Sequence, residues 1–315
     1  MSNIPLDFVG LNTLVKEEID PNTNTIGKTN TKAINFLDNE NLNYFENTNP
    51  KGYKTSGPFS FSFFAKIEWN VAEGNTNNEY DLFWLFDDRF HFFIRKHGNS
   101  TIGSNNSCFN LKITNATDNS ENRLYQWDFV GTGGVITPGV HPSNWDKFGK
   151  WASFVLSWDG KYSNNPTLYI DGVGIEPQTG TTVGTPDLDR ILPSKIQVGY
   201  ATSINGSETY YNKSEMQHLA FYSKTLNQND VDLIYSNGFV EDITKISTLA
   251  PFIIDYWKLG DELPLSIGDT IETGTVIEPT YGNNSLTSVG APIVSKGRAP
   301  EIRNKEVLLT KVEIF

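Results

Sequence analysis

The sequence predicts an all-β protein: a two-sheet jelly-roll sandwich with one short helix, flanked by extended N- and C-terminal arms. Three observations predict it. From Lys32 onward, short runs rich in Phe, Tyr, Trp and β-branched residues are separated by Asn, Gly, Asp and Pro clusters. Several runs alternate apolar and polar residues with period two, the pattern of a half-buried strand. A single segment near residue 230 has helical spacing, and no strand–helix–strand alternation of the kind that builds a parallel sheet is present.

Residues 1–30 are polar, rich in Asn and Thr and weakly periodic, and read as an arm. Residues 31–243 carry the strand pattern. Pro58-Phe59-Ser60-Phe61-Ser62-Phe63 alternates strictly, which puts Phe59, Phe61 and Phe63 on one face. Two aromatic runs follow between Leu82 and Ile94, around Asp87-Asp88. Strands are next expected at Phe109–Ile113 and Leu124–Phe129. In the middle of the chain Ala152, Phe154, Leu156 and Trp158 share a face, with Ser153, Val155 and Ser157 opposite. Asp159-Gly160 and Asp171-Gly172 read as turns, because this pair tolerates positive φ. Ile196–Tyr200 and Met216–Tyr222 add two more strands.

The helix is expected to start at Asn227, with Asp230 three residues on and Leu226, Val231, Ile234 and Tyr235 as its apolar stripe. Gly238 lies just past its end. It is too short to stand alone, so it must pack on a sheet. Residues 244–315 read as an extension, strand-like in short pieces, used for docking or oligomerisation. Ile253–Asp261 is an apolar run ending in a turn. Glu306–Phe315 has strand character, and a segment so apolar should pair with a sheet edge, in this chain or a neighbour.

Charge and composition exclude several function classes. Lys+Arg is 25 and Asp+Glu 37, a net charge of −12. A general nucleic-acid binder needs a basic face, and anionic lipid would be repelled. No run approaches the 18 apolar residues of a membrane span, and Met1–Asp7 has neither the basic nor the apolar part of a secretion signal. Cys108, the one cysteine, allows no internal disulfide and no cysteine-based zinc site, and reads as a small buried hydrophobe. The sequence has 33 Asn. Sequons such as Asn99-Ser100-Thr101 and Asn115-Ala116-Thr117 therefore read as a product of Asn abundance rather than as glycan sites.

The order of the runs resembles the laminin-G-like or concanavalin-A-like lectin and glucanase jelly roll over about residues 30–240. Lys32–Phe36 looks like its opening strand and Phe59–Lys66 like the strand that enters the sheet. Trp151–Gly160 followed by Leu168–Gly172 is the strongest match. Met216–Tyr222 with Lys224–Val231 resembles the closing strand and short helix. Tyr256–Asp261 looks like a short module that follows such domains in structural proteins of tailed phages. That resemblance implies a virion component, displayed on the particle surface and made in the host cytoplasm.

Glu68-Trp69-Asn70-Val71-Ala72-Glu73 is a look-alike of the Glu-x-Asp-x-x-Glu strand of glucanases on this fold. The middle acid is Asn70, and an odd separation puts Glu68 and Glu73 on opposite faces unless a bulge intervenes. No enzyme is expected. Asp81, Asp87 and Asp88 can supply oxygen ligands to calcium, but no Asp-x-Asp-x-Asp-Gly loop supports such a site, so no cofactor is assigned. The four His (His91, His97, His141 and His218) form no metal-binding pair, and His218 reads as a half-buried strand residue. Trp127, Trp145, Trp151 and Trp158 can stack on sugar rings if they line a groove. Trp151 and Trp158, inside a strand, read as core. Trp145, on a loop between Asn144 and Asp146, is the better candidate for a sugar platform.

Three roles follow. The first is a phage structural protein, on the capsid as decoration or on the tail as fibre or appendage. It is attached to capsid or tail proteins through its arms, with Tyr256, Trp257, Leu308, Leu309, Val312, Ile314 and Phe315 as docking residues, and is a homo-oligomer. In that role, deleting residues 245–315 leaves a folded, soluble domain. The alternative is a carbohydrate-binding module for host-surface glycans. The minor alternative is a glycan hydrolase acting through Glu68.

Overall fold

A computed structural model describes residues 32–36, 43–54, 56–67, 79–85, 90–96, 107–114, 122–128, 150–177, 182–183, 195–202, 209–211, 214–235 and 242–297. The period-two runs form the strands they predict. β1 (Lys32–Asn35), β2 (Tyr44–Asn47) and β3 (Phe59–Ile67) open the fold, followed by β4 (Glu79–Leu85), β5 (Phe90–Lys96), β6 (Ser107–Thr114) and β7 (Asn122–Asp128). Next come β8 (Trp151–Trp158), β9 (Thr167–Ile170), β10 (Val173–Ile175), β11 (Thr182–Val183) and β12 (Ile196–Val198). β13 (Tyr200–Thr202), β14 (Thr209–Tyr211) and β15 (Ser214–Tyr222) precede the helix α1 (Gln228–Tyr235). β16 (Ile253–Trp257), β17 (Val276–Ile277), β18 (Leu286–Val289) and β19 (Ile293–Lys296) close the chain's described part.

Two large antiparallel sheets result, beside a separate two-stranded pair, β13-β14. The first has the order β10-β9-β8-β3-β15-β1-β19, and β16 pairs with β15 beside β1. The second has the order β11-β7-β6-β5-β4-β12-β2-β18-β17. The all-β sandwich with one α-helix among the described residues is the expected fold class.

Aromatic rings fill the space between the sheets. Phe61 and Phe63 are fully buried on the inner face of β3. Phe63 stacks on Phe154 at 5.1 Å, and Phe61 meets Phe92 of the opposite sheet edge-on at 5.2 Å. Each such ring removes a large apolar area from water. Trp158 is buried with them, and its indole N–H is satisfied by the carbonyls of Lys161 and Asn164 in the turn that follows. That turn is the expected Asp159-Gly160, where the Lys161 N–H donates to the Asp159 carboxylate. Asp171 (φ 49°) and Gly172 (φ 82°) join β9 to β10 as a two-residue hairpin, both in the left-handed region that this turn requires.

The outer face of the first sheet is covered at one end only. The serines that alternate with the phenylalanines do not face water there. Ser60 Oγ donates to the Lys224 carbonyl at 2.6 Å and Ser157 Oγ to the Leu226 carbonyl at 2.7 Å. These bonds hold the lead-in of α1 against the strands. Asn227 and Asp230 cap α1 reciprocally, each side chain accepting from the other's backbone N–H, as the spacing predicts. Val155, Ala220 and Tyr222 of the sheet then bury Leu226, Val231, Ile234, Ile243, Leu249, Ile253 and Tyr256 in a second apolar layer.

Residues 253–296, expected within a docking extension, are built into both sheets. β16 pairs with β15, β19 with β1, and β18 with β2. This corrects the roles expected for Tyr256 and Trp257. Both are fully buried. Trp257 packs edge-on against Phe221 at 6.1 Å inside the sandwich, and the Tyr256 hydroxyl lies 2.5 Å from Nδ1 of His218. Their surface is used within this chain. His218 also departs from the half-buried expectation. A bulge in β15 puts it at φ 54° and turns it, with Gln217, to the outer face, where it is 5% exposed.

Candidate functional site

Beyond the part covered by α1, the outer face of the first sheet stays open as a groove of about 580 Å³. Strand register builds its floor. Trp151 of β8 pairs with Lys66 of β3, Lys66 with Glu215 of β15, Glu215 with Asn35 of β1, and Asn35 with Ile293 of β19. Five neighbouring strands thus place Trp, Lys, Glu, Asn and Ile in one row across the sheet. At about 4.8 Å per strand the row spans roughly 19 Å. Trp151, Lys66, Glu215 and Ile293 of that row line the groove.

The row is chemically mixed. The Lys66 ammonium lies 2.9 Å from the Glu215 carboxylate, and their side chains are 28% and 11% exposed. Glu215 is nearly buried while Lys66 reaches water, and the pair fixes two polar groups beside a half-buried indole. The far rim is the 266–269 turn. Gly268 N–H donates to the Val294 carbonyl at 2.8 Å and Val294 N–H to the Asp269 carbonyl at 2.9 Å, so the turn runs along β19. It carries Ile267, 55% exposed, next to Ile293, 37% exposed. Gly297 closes the wall. A Cβ there would overlap the Gln217 side-chain oxygen and the Lys32 carbonyl oxygen, so only glycine lets the chain pass this close.

Of the residues singled out from the sequence, Asn144, Trp145 and Asp146 lie outside the described residues, as do Glu68, Asn70, Glu73, Asp87 and Asp88. So do Leu308, Leu309, Val312, Ile314 and Phe315. Asp81 and Cys108 lie in β4 and β6. Trp151, expected in the core, lines the groove instead. Parity within β8 carries the signal for this. Ala152, Phe154, Leu156 and Trp158 point inward, so Trp151 points out. Among the described residues no group of three His, Cys, Asp or Glu side chains gathers as a metal site would.

No protein-family model and no curated protein matches the chain. Among solved structures, a "putative carbohydrate binding protein" from Bacteroides ovatus is similar at 17% identity and a TM-score of 0.49, covering 86% of this chain. The chain spans 61% of that structure's length. The heptameric SAP-like pentraxin of Limulus polyphemus is similar at 12% identity and a TM-score of 0.39, covering 68% of this chain and 85% of its own. The botulinum neurotoxin serotype D binding domain is similar at 14% and 0.38, covering 76% of this chain and 57% of its own. At these levels none of the three bears on the site, which stands on the chain's own geometry.

Proposed function

We propose that this protein binds carbohydrate, with sugar rings lying in the groove on the open part of the first sheet's outer face. The observation that supports this is the in-register row of Trp151, Lys66 and Glu215. A sugar ring has an apolar C–H face and a rim of hydroxyls that both donate and accept. An indole offers a flat apolar surface to the first. An ammonium and a carboxylate side by side offer a donor and an acceptor to the second. A mostly apolar concavity with a few fixed polar groups is the usual form of a small-ligand site.

A phage-particle component attached through terminal arms turns on residues 1–30 and 298–315, which lie outside the described residues. The described C-terminal strands are consumed in the sandwich and lend that role no support. The test is a glycan array probed with the intact protein and with Trp151→Ala, each checked for native circular dichroism. Hits with the intact protein that vanish in the variant are expected. An array without hits would overturn the reading, and so would hits that survive the substitution.

A further inference from the structure

We infer that the saccharide carries a methyl group on the unit that lies over β19, held against Ile293 and Ile267. The methyl is that of an acetamido substituent or the C6 methyl of a 6-deoxy sugar. This deepens the carbohydrate reading and rests on it. Register places Ile293 on the groove face. Its neighbour Val294 is fully buried in the core between the sheets, so Ile293 points the opposite way, as Glu215 does beside the inward Met216. Ile293 is 37% exposed and Ile267, in the 266–269 turn, is 55% exposed. Both line the groove. The turn that presents Ile267 is fixed: Asp269 N–H donates to the Ser266 carbonyl at 3.1 Å, Ser266 N–H donates to the Asp269 carboxylate at 2.8 Å, and Gly268 takes the positive φ of 98°.

The floor changes character along its row. The β8 end offers an indole, and the middle offers Lys66 and Glu215, which answer each other's charge. That pair can hold hydroxyls but selects no net charge. The β19 end offers aliphatic surface. A hydroxyl seated on the two isoleucines loses water without gaining a partner, which costs free energy. A methyl seated there is removed from water at a gain. Trp151 and Ile293 are four strand spacings apart, roughly 19 Å. That is farther than one sugar ring extends, so the unit stacked on the indole and the methyl-bearing unit are different units of one chain.

The test is calorimetric titration of the full chain with two matched pairs of tetrasaccharides, repeated with Ile293→Thr and with Ile267→Ser. One pair is the N-acetylglucosamine tetramer against the glucose tetramer of the same linkage. The other is a tetramer ending in L-fucose against its L-galactose counterpart. Both isoleucines reach water, so the variants are expected to fold, which native circular dichroism checks. In at least one pair the methyl-bearing member should bind about fourfold more tightly, the factor that burying one methyl implies. Each substitution should shrink that ratio toward one, and the pair that shows it identifies the source of the methyl. Equal binding within both pairs overturns the inference, and so does a preference that both substitutions leave intact. In either case, binding that is lost in Trp151→Ala leaves the carbohydrate reading standing. Binding of none of the four tetramers overturns the inference, while an empty glycan array would remove the reading beneath it.

Discussion

The Tyr53 hydroxyl donates a 2.7 Å hydrogen bond to the carboxylate of Asp255, 202 residues further on, and both groups are buried. The same carboxylate accepts from the backbone N–H groups of Asn283 and Asn284 and from the Asn284 side chain. Asn284 in turn bonds both the N–H and the carbonyl of Lys51. Three distant segments therefore meet on one acid. Asp255→Ala strands several buried donors and should cost roughly 3–5 kcal/mol, measured as the change in urea unfolding free energy. A loss under 1 kcal/mol would show that the network is dispensable.

His218 predicts a pH dependence. Burial, with the Lys258 charge nearby, lowers its pKa to about 3. The folded form resists protonation and the unfolded form accepts it near pH 6.5. The stability this group contributes is therefore present above pH 6.5 and is lost as pH falls from there toward 3. Between pH 7 and pH 4.5 the loss is on the order of 2–3 kcal/mol. His218→Asn tolerates the positive φ and should flatten that part of the stability–pH curve. Burial raises Asp255 above the usual carboxylate range, so its contribution has the opposite sign and falls as pH rises through that raised value. An unchanged acid slope in His218→Asn would contradict the assignment.

The two ends of β8 carry indoles with different work. Trp158→Ala opens a cavity between the sheets and should cost about 3–5 kcal/mol. Trp151→Ala removes a groove-lining ring and should cost about 1 kcal/mol while abolishing saccharide binding. Thermal and urea unfolding of the two variants separates these effects. Similar losses in both would place Trp151 in the core after all.

Deleting residues 245–315 was expected to leave a folded domain, but it removes β16, β18 and β19, along with the buried Tyr256, Trp257, Leu286 and Val294. Each large side chain so removed forfeits roughly 1.5–3 kcal/mol of apolar burial, so these four alone account for as much as the whole stability of a typical domain, about 5–15 kcal/mol. The truncated chain should lack near-ultraviolet circular dichroism and cooperative melting. A cooperative transition in it would mean that the strands of residues 253–296 are accessory.

Much of the sandwich was legible because its signals are local. Alternation in β3 and β8 fixed which rings face inward, the Asp-Gly pairs marked both turns, and Asn227 with Asp230 marked the helix start. The C-terminal strands were not legible as part of the sandwich. Ile253–Trp257 reads as an apolar run, but nothing in five residues says which edge it will pair with. The answer lies in β15, more than thirty residues earlier. The bulge at His218 was invisible for a related reason, since a single extra residue leaves no mark on composition. The groove's row was half-legible. Parity gives the face of Trp151, whereas its meeting with Lys66 and Glu215 depends on register across three strands.

The most direct test of the central claim is a crystal structure of the full chain with the tightest-binding saccharide from the array. The account predicts a sugar ring stacked on the Trp151 indole, its hydroxyls bonded to Lys66 and Glu215, and the chain running toward β19. A saccharide seated elsewhere, with the Trp151 groove empty, would contradict it.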